Sequence, residues 1–251
     1  MSLQKPGNDI YQKSTLDNGL CIITNPMPHI HSVCIAFFVG TGSRYEVEKD
    51  SGVSHFIEHL CFKGTQRRTT REISQAIEGI GGILNGGTDK ELTVYWCKVA
   101  RPHFSTATDV LVDMLRHSLF DPQEIEKERQ VIIEEINVGL DSPPQRAGML
   151  IDGLLWPNQP LGRDTAGSKE IVASLSRQAM LDYFTRQYSP QNIVVSVAGN
   201  ISHEEVVAEL DRLLGDWPQT CLLPRKEENN SQDAPRLRIE HATGEQVTVL
   251  V

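Results

Sequence analysis

Ser51-Gly52-Val53-Ser54-His55-Phe56-Ile57-Glu58-His59-Leu60-Cys61-Phe62-Lys63-Gly64 is the stretch on which the reading of this chain turns. Val53, Ile57 and Leu60 recur at helical spacing and Gly64 can close the turn, so the spacing predicts a short amphipathic helix. At about 100° per residue, His59 lies roughly 40° to one side of His55 and Glu58 roughly 60° to the other. All three share one face. Two imidazoles a turn apart can grip a single metal ion, with the carboxylate beside them placed to move protons. The plainer reading is a pair of surface histidines on an amphipathic helix, so a metal site requires a third ligand from elsewhere.

A catalytic zinc takes three protein groups and keeps one position open. The helix announced by Asp121-Pro122-x-Glu124 offers Glu124, Glu126, Glu128, Glu134 and Glu135. Glu128 and Glu135, seven residues apart, differ by only about 20° in direction and share their side with Ile125 and Ile132. Carboxylates on an apolar stripe are costly unless something cationic meets them. Their α-carbons lie about 10.5 Å apart along the axis, so one can ligate while the other supports the site from behind. Glu124, Glu126 and Glu134 fit a solvated, ion-paired face.

Outward from this pair of helices, the 251 residues, 39% of them apolar, leave room for one large domain with a sizeable core. The balance of 24 basic against 33 acidic side chains gives a net charge of −9, which makes nucleic acid a poor partner. No apolar run reaches the roughly 18 residues of a membrane span. Cys21, Cys34, Cys61, Cys97 and Cys221 are odd in number and lack Cys-x-x-Cys spacing, so free thiols and a cytoplasmic location are expected.

Asp17-Asn18-Gly19 reads as a hairpin turn, followed by strands over 32–40, 83–88 and 92–100, with a capping box at Thr69-x-x-Glu72 between. Helices are expected over 103–119, from 122 to about 139, over 146–156 after a Pro143-Pro144 break, and over 177–187, with a loop at 161–169. A buried strand over 192–199 and a helix opened by Ser202-x-x-Glu205 follow. The pattern implies an α+β domain built of two similar βα halves, its largely antiparallel sheet covered on one face by helices. The expected division is a zinc-bearing domain over 1–217, a polar linker over 218–234, and the first strands of a truncated second domain over 235–251. His29, His31, His103, His117, His203 and His241 have no partner at ligand spacing and read as surface or capping residues.

His55-x-x-Glu58-His59, followed 76 residues later by Glu135, resembles the inverted zinc signature of the pitrilysin, insulinase and mitochondrial processing peptidase family. Gly40-x-Gly42-Ser43, Ser51-Gly52, Phe62-Lys63-Gly64-Thr65, Gly81-Gly82-x-x-Asn85 and Thr93-x-Tyr95 are similar to that family too. So are Glu128-Arg129-x-Val131-Ile132-x-x-Glu135, Leu161-Gly162, Gly167 and Tyr188-x-Pro190-x-Asn192, so the likeness runs from about residue 12 to 217.

The resemblance implies a processing-peptidase-like metallohydrolase fold and one zinc ion held by His55, His59 and Glu135. It implies Glu58 as general base and Glu128 as the family's additional catalytic-site glutamate. Zinc brings the pKa of its water to about 7, within reach of such a base. An unfolded peptide or small protein would lie extended along Asn85, Gly86, Gly87 and Thr88, where the family commonly has alanine after the asparagine. A second homologous domain or subunit, in one chain or as a homo- or heterodimer, would complete the chamber, and this chain alone would cleave peptides weakly. Two other classes fit less well. Non-catalytic structural or peptide-binding paralogues typically lose a motif residue, and a thioether-cleaving metal lyase with a His-x-x-Glu-His helix takes cysteine as its third ligand.

Overall fold

The computed structural model describes residues 11–224, 227–241 and 247–249. Strands β1 (Gln12–Thr15) and β2 (Cys21–Pro26) flank the expected hairpin turn, and β3 (Ser32–Val39) follows. Helices α1 (Val53–Cys61) and α2 (Thr70–Glu78) precede β4 (Ile83–Thr88) and β5 (Thr93–Ala100). Then come α3 (Phe104–His117), α4 (Pro122–Asp141), α5 (Pro143–Leu155), α6 (Lys169–Ser174) and α7 (Arg177–Gln187). Strand β6 (Ile193–Gly199) and α8 (His203–Leu214) complete the set. The capping box of α2 is formed: Thr69 Oγ1 accepts from Glu72 N at 3.3 Å and the Glu72 carboxylate accepts from Thr69 N at 2.8 Å.

The six strands among the described residues form one sheet in the order β1-β2-β6-β3-β5-β4. Only the β2–β6 pairing is parallel; the other four are antiparallel. The second set of elements therefore contributes one strand, β6, which inserts between β2 and β3. Val33, Ile35, Phe37 and Val39 of β3 and Tyr95, Cys97 and Val99 of β5 are buried beneath helices. Their neighbours Cys34, Ala36, Val94 and Trp96 stay partly exposed on the other side, the period-two signature of a sheet covered on one face. Strand β4 is an edge.

Several motif residues fix the approach of α1 to α4. Gly52 has φ +93°, and a β-carbon there would stand 2.4 Å from the Ala166 carbonyl oxygen, so the chain entering α1 lies directly on the loop before α6. The buried Glu46 carboxylate accepts from Gly52 N and Ser54 N at 2.8 Å each, satisfying amides that the first turn of a helix leaves open. Tyr183 OH bonds Ser54 Oγ at 2.9 Å and Thr41 Oγ1 at 2.7 Å. Arg129 donates to the carbonyls of Val172 and Leu175 and lies 5.4 Å over the Phe56 ring, which ties α4 and α6 to α1. Asn192 Nδ2 spans Gly40 O at 3.0 Å and Gln187 O at 2.9 Å, joining the start of β6 to the end of β3.

Three expectations are corrected. Lys169, expected to end a loop, opens α6, because the Ser168 hydroxyl accepts from Ile171 N. Pro143 and Pro144 do more than break α4: they start α5, three residues earlier than periodicity implies, at positions where a missing N–H costs nothing. Leu237–Glu240 forms no strand. Leu237 and Ile239 are 81% and 68% exposed, and no neighbouring strand among the described residues offers them a ladder. Val247–Val249 is not a strand either, and the rest of that expected strand lies outside the described residues.

Described residues on either side of Leu237 are bonded to the surface of the domain. Asn229 N donates to Gln159 Oε1 at 2.7 Å, Gln159 Nε2 returns a bond to Asn229 O at 3.0 Å, and Arg146 pairs with Glu240 at 2.8 Å. The five cysteines are free thiols. No helix among the described residues is long and apolar enough to cross a membrane.

Candidate metal centre

Helix α1 presents His55 and His59 one turn apart, and their Nε2 atoms approach to 3.3 Å with the rings nearly perpendicular. Across from them α4 presents Glu135, whose Oε2 lies 3.7 Å from His55 Nε2 and 3.6 Å from His59 Nε2. Among the described residues this is the one group of three or more such side chains whose ligand atoms all lie within 4.8 Å of one another. Donors bonded at about 2.0–2.2 Å to one tetrahedral zinc stand roughly 3.3–3.6 Å apart. The donor triangle fits that ion, and nitrogen and oxygen donors suit zinc chemically. Burial, reinforced by the nearby His59, lowers the pKa of His55 to about 4, so this ring is neutral and its lone pair is free at ordinary pH.

Glu128 stands one step behind the donors. Its Oε2 is 3.1 Å from His59 Nδ1 and its Oε1 is 2.8 Å from Lys63 Nζ. A carboxylate facing Nδ1 fixes the proton on that nitrogen and leaves Nε2 as the lone-pair donor aimed at the metal position. The structure thus separates the two glutamates that residue spacing left open: Glu135 at ligand distance, Glu128 against the back of a ligand ring.

Glu58 lies on α1 beside the histidines and accepts a hydrogen bond from Thr88 Oγ1 at 3.1 Å. Burial raises its carboxyl pKa and the charge of Glu135 adds to the rise, while His59 and the Thr88 hydroxyl work the other way. Gly86, on β4, passes so close that a β-carbon there would stand 3.1 Å from Glu58 Oε1 and 3.0 Å from the Phe62 ring. Of the four residues expected on the substrate edge, Thr88 bonds Glu58 and Gly86 passes close beside it. Asn85 is turned to its own backbone, with Oδ1 accepting from Gly86 N at 2.8 Å, and Gly87 faces open space.

Two roles went unassigned in the sequence. Lys63 sits inside a quoted motif, four residues after His59, and that helical spacing was the available signal. The Thr88 to Glu58 bond joins residues 30 apart through the fold, and no local pattern announces it. Cys61 is fully buried with its thiol against Tyr95 OH at 3.5 Å, on the far side of α1 from the donor triangle. His117 and His203 are bonded inward, His117 to Asp113 at 3.1 Å and His203 to Thr24 at 2.8 Å and Ser14 at 2.7 Å.

Fold and site together define a class: an α+β protein holding a His-His-Glu donor set between two helices, beside an open sheet edge. The particular family follows from comparison with known proteins. The family described as insulinase, peptidase family M16, matches residues 21–169, and a second, described as the peptidase M16 inactive domain, matches residues 174–251. The chain belongs to the insulinase family. The two matches meet within a continuous structure, since β6 from the second lies between β2 and β3 from the first.

An uncharacterised zinc protease of Bacillus subtilis is 38% identical over 206 residues, covering 82% of this chain and 50% of that protein. A probable mitochondrial-processing peptidase subunit beta of Arabidopsis thaliana is 36% identical over 203 residues, 80% of this chain and 38% of that protein. A protease from Helicobacter pylori has a similar fold, with TM-score 0.82, 21% identity, and coverage of 88% of this chain and 53% of that one. The chain thus spans about half the length or less of these relatives.

Proposed function

We propose that this chain is the metal-bearing half of a zinc-dependent endopeptidase that hydrolyses unfolded peptides or small proteins. The donor triangle of His55, His59 and Glu135 carries the reading, because its three spacings match one tetrahedral zinc ion and a raised-pKa carboxylate stands directly beside it. The naming of the Bacillus subtilis relative as a zinc protease supports it. When bound, zinc supplies a Lewis acid for the peptide carbonyl and acidifies water at the site.

The rest of the chemistry falls to side chains. Glu58, held by Thr88, takes a proton from the water that adds to the scissile carbonyl carbon. It returns that proton to the leaving nitrogen as the C–N bond breaks, giving one new carboxyl and one new amine. Glu128 holds the His59 ring in place. Edge strand β4 pairs with β5 on one side only, and its other side is where an extended peptide joins as a further strand along Asn85, Gly86 and Gly87, which gives affinity with little demand on sequence. A second homologous domain or subunit, in one chain or as a dimer, would close the chamber over this edge. The alternative, a non-catalytic peptide-holding paralogue, is disfavoured by the survival of every donor and of the base.

The test is metal analysis and cleavage of a quenched-fluorescence peptide by wild type and Glu58→Gln with the remainder of the protein present. One zinc per chain is expected in both. Turnover in the variant should fall by at least about 10²-fold. Wild-type protein without zinc, or a variant that cleaves normally, would overturn the reading.

A further inference from the structure

The two ligand imidazoles are not supported alike. His59 Nδ1 is bonded to Glu128, whereas His55 Nδ1 is buried without a hydrogen-bond partner among the described residues. Among the described residues, Glu128 is thus the carboxylate that orients a ligand ring from behind, and it does so for His59. That carboxylate is itself in a costly place, with its side chain only 6% exposed. Each oxygen has a different donor: Oε2 faces the imidazole and Oε1 faces the Lys63 ammonium at 2.8 Å.

Lys63 is well placed to hold it. It follows the end of α1, its own N–H donating to Leu60 O at 3.0 Å, and its side chain is 29% exposed, so the buried end of the pair is the glutamate. Removing the ammonium would leave a buried carboxylate with half its donors. Such a group relieves itself by rotating toward water, and that rotation withdraws the acceptor from His59 Nδ1.

We propose that Lys63 is a positioning residue for zinc: by holding the Glu128 carboxylate in place against His59 it keeps Nδ1 of that ring bonded and the Nε2 lone pair on the metal position. This rests on the metallopeptidase reading above, and it assigns a role to a residue that does not touch the metal, the substrate or the reacting atoms. Supports behind metal ligands are typically worth about 10- to 100-fold in metal affinity. The same range is expected here.

The experiment measures the zinc dissociation constant by chelator competition for wild type, Lys63→Met, Lys63→Arg, Glu128→Gln and the double variant Lys63→Met/Glu128→Gln, in the full protein. In parallel, nitrogen-15 NMR of the metal-free proteins reads the tautomer of His59, which a merely structural role would leave unmoved. Lys63→Met should bind zinc about 10- to 100-fold more weakly and lose the single Nδ1–H tautomer, Lys63→Arg should restore both, and the double variant should bind no worse than Glu128→Gln alone. Additive losses, or a Lys63→Met protein that melts lower yet binds zinc as tightly with an unchanged tautomer, would overturn the role of Lys63 and leave the peptidase reading intact. Wild-type protein that takes up no zinc would overturn both.

Discussion

Thr88 Oγ1 donates to Glu58 Oε2 across 3.1 Å, so the last residue of the edge strand holds the carboxylate proposed as the base. The strand expected to receive a peptide and the group expected to move its protons are one mechanical unit. Thr88→Val keeps the shape and removes the donor. Its kcat should fall about tenfold, since loss of one orienting bond costs about 1–1.5 kcal/mol, while zinc content is unchanged and Thr88→Ser stays near wild type. Equal kcat in the valine and serine variants would show that the bond does not orient the base.

Glu58 also makes a prediction about stability. Its pKa is raised, chiefly by burial, so the folded state favours its neutral form. The sign follows from linkage: the stabilising contribution is complete below the unfolded value of about 4.3 and is lost as pH rises through the folded value. At neutral pH the ionised carboxylate works against the metal-free fold. Metal-free Glu58→Gln should therefore melt above wild type at pH 7–8, with the gap closing toward pH 4. Thermal melts in chelator across that range read it directly. A variant melting at or below wild type at pH 7.5 would contradict it.

Much of this was legible from residue order, for identifiable reasons. Helices α1 and α4 carry their ligands at fixed angular spacing, so His55, Glu58 and His59 could be placed on one face before any fold was known. The capping box at Thr69 is local too. What spacing could not decide was which of Glu128 and Glu135 meets the histidines, since both share a stripe. The answer lies in the approach of α4 to α1, set by Arg129 on Phe56 and by Gly52 on the Ala166 loop. Helix α6 and the exposed Leu237–Glu240 depart from the sequence expectation for opposite reasons. In one the Ser168 cap opens a helix where the residues read as a loop, and in the other an apolar alternation implies a strand that tertiary structure does not supply.

Cys61 and Glu135 separate two metal chemistries. Burial pushes the Cys61 thiol up to about 12, and it lies against Tyr95, away from the histidines. Glu135→Gln replaces a charged donor with a neutral amide and should weaken zinc binding by at least about 10-fold, whereas Cys61→Ala should bind zinc as wild type and lose only packing stability. Zinc lost from the alanine variant and kept by the glutamine variant would argue for a thiolate ligand.

Gly86 and Gly87 are adjacent in β4 yet face opposite surroundings. A β-carbon on Gly86 would meet the Phe62 ring at 3.0 Å and Glu58 Oε1 at 3.1 Å; one on Gly87 would meet nothing within 4 Å. Neither has a left-handed φ, so alanine at either place is free of backbone strain and gains the roughly 0.5–1 kcal/mol that glycine loses inside a strand. Gly87→Ala should therefore melt higher with zinc content and kcat unchanged. Gly86→Ala must push the Glu58 carboxylate or the Phe62 ring aside by a few tenths of an ångström. Displacement of a reacting group on that scale should lower kcat about three- to tenfold. If the Gly86 variant instead turned over faster, the looseness of a two-glycine edge, and not the clearance around Glu58, would be what limits the reaction.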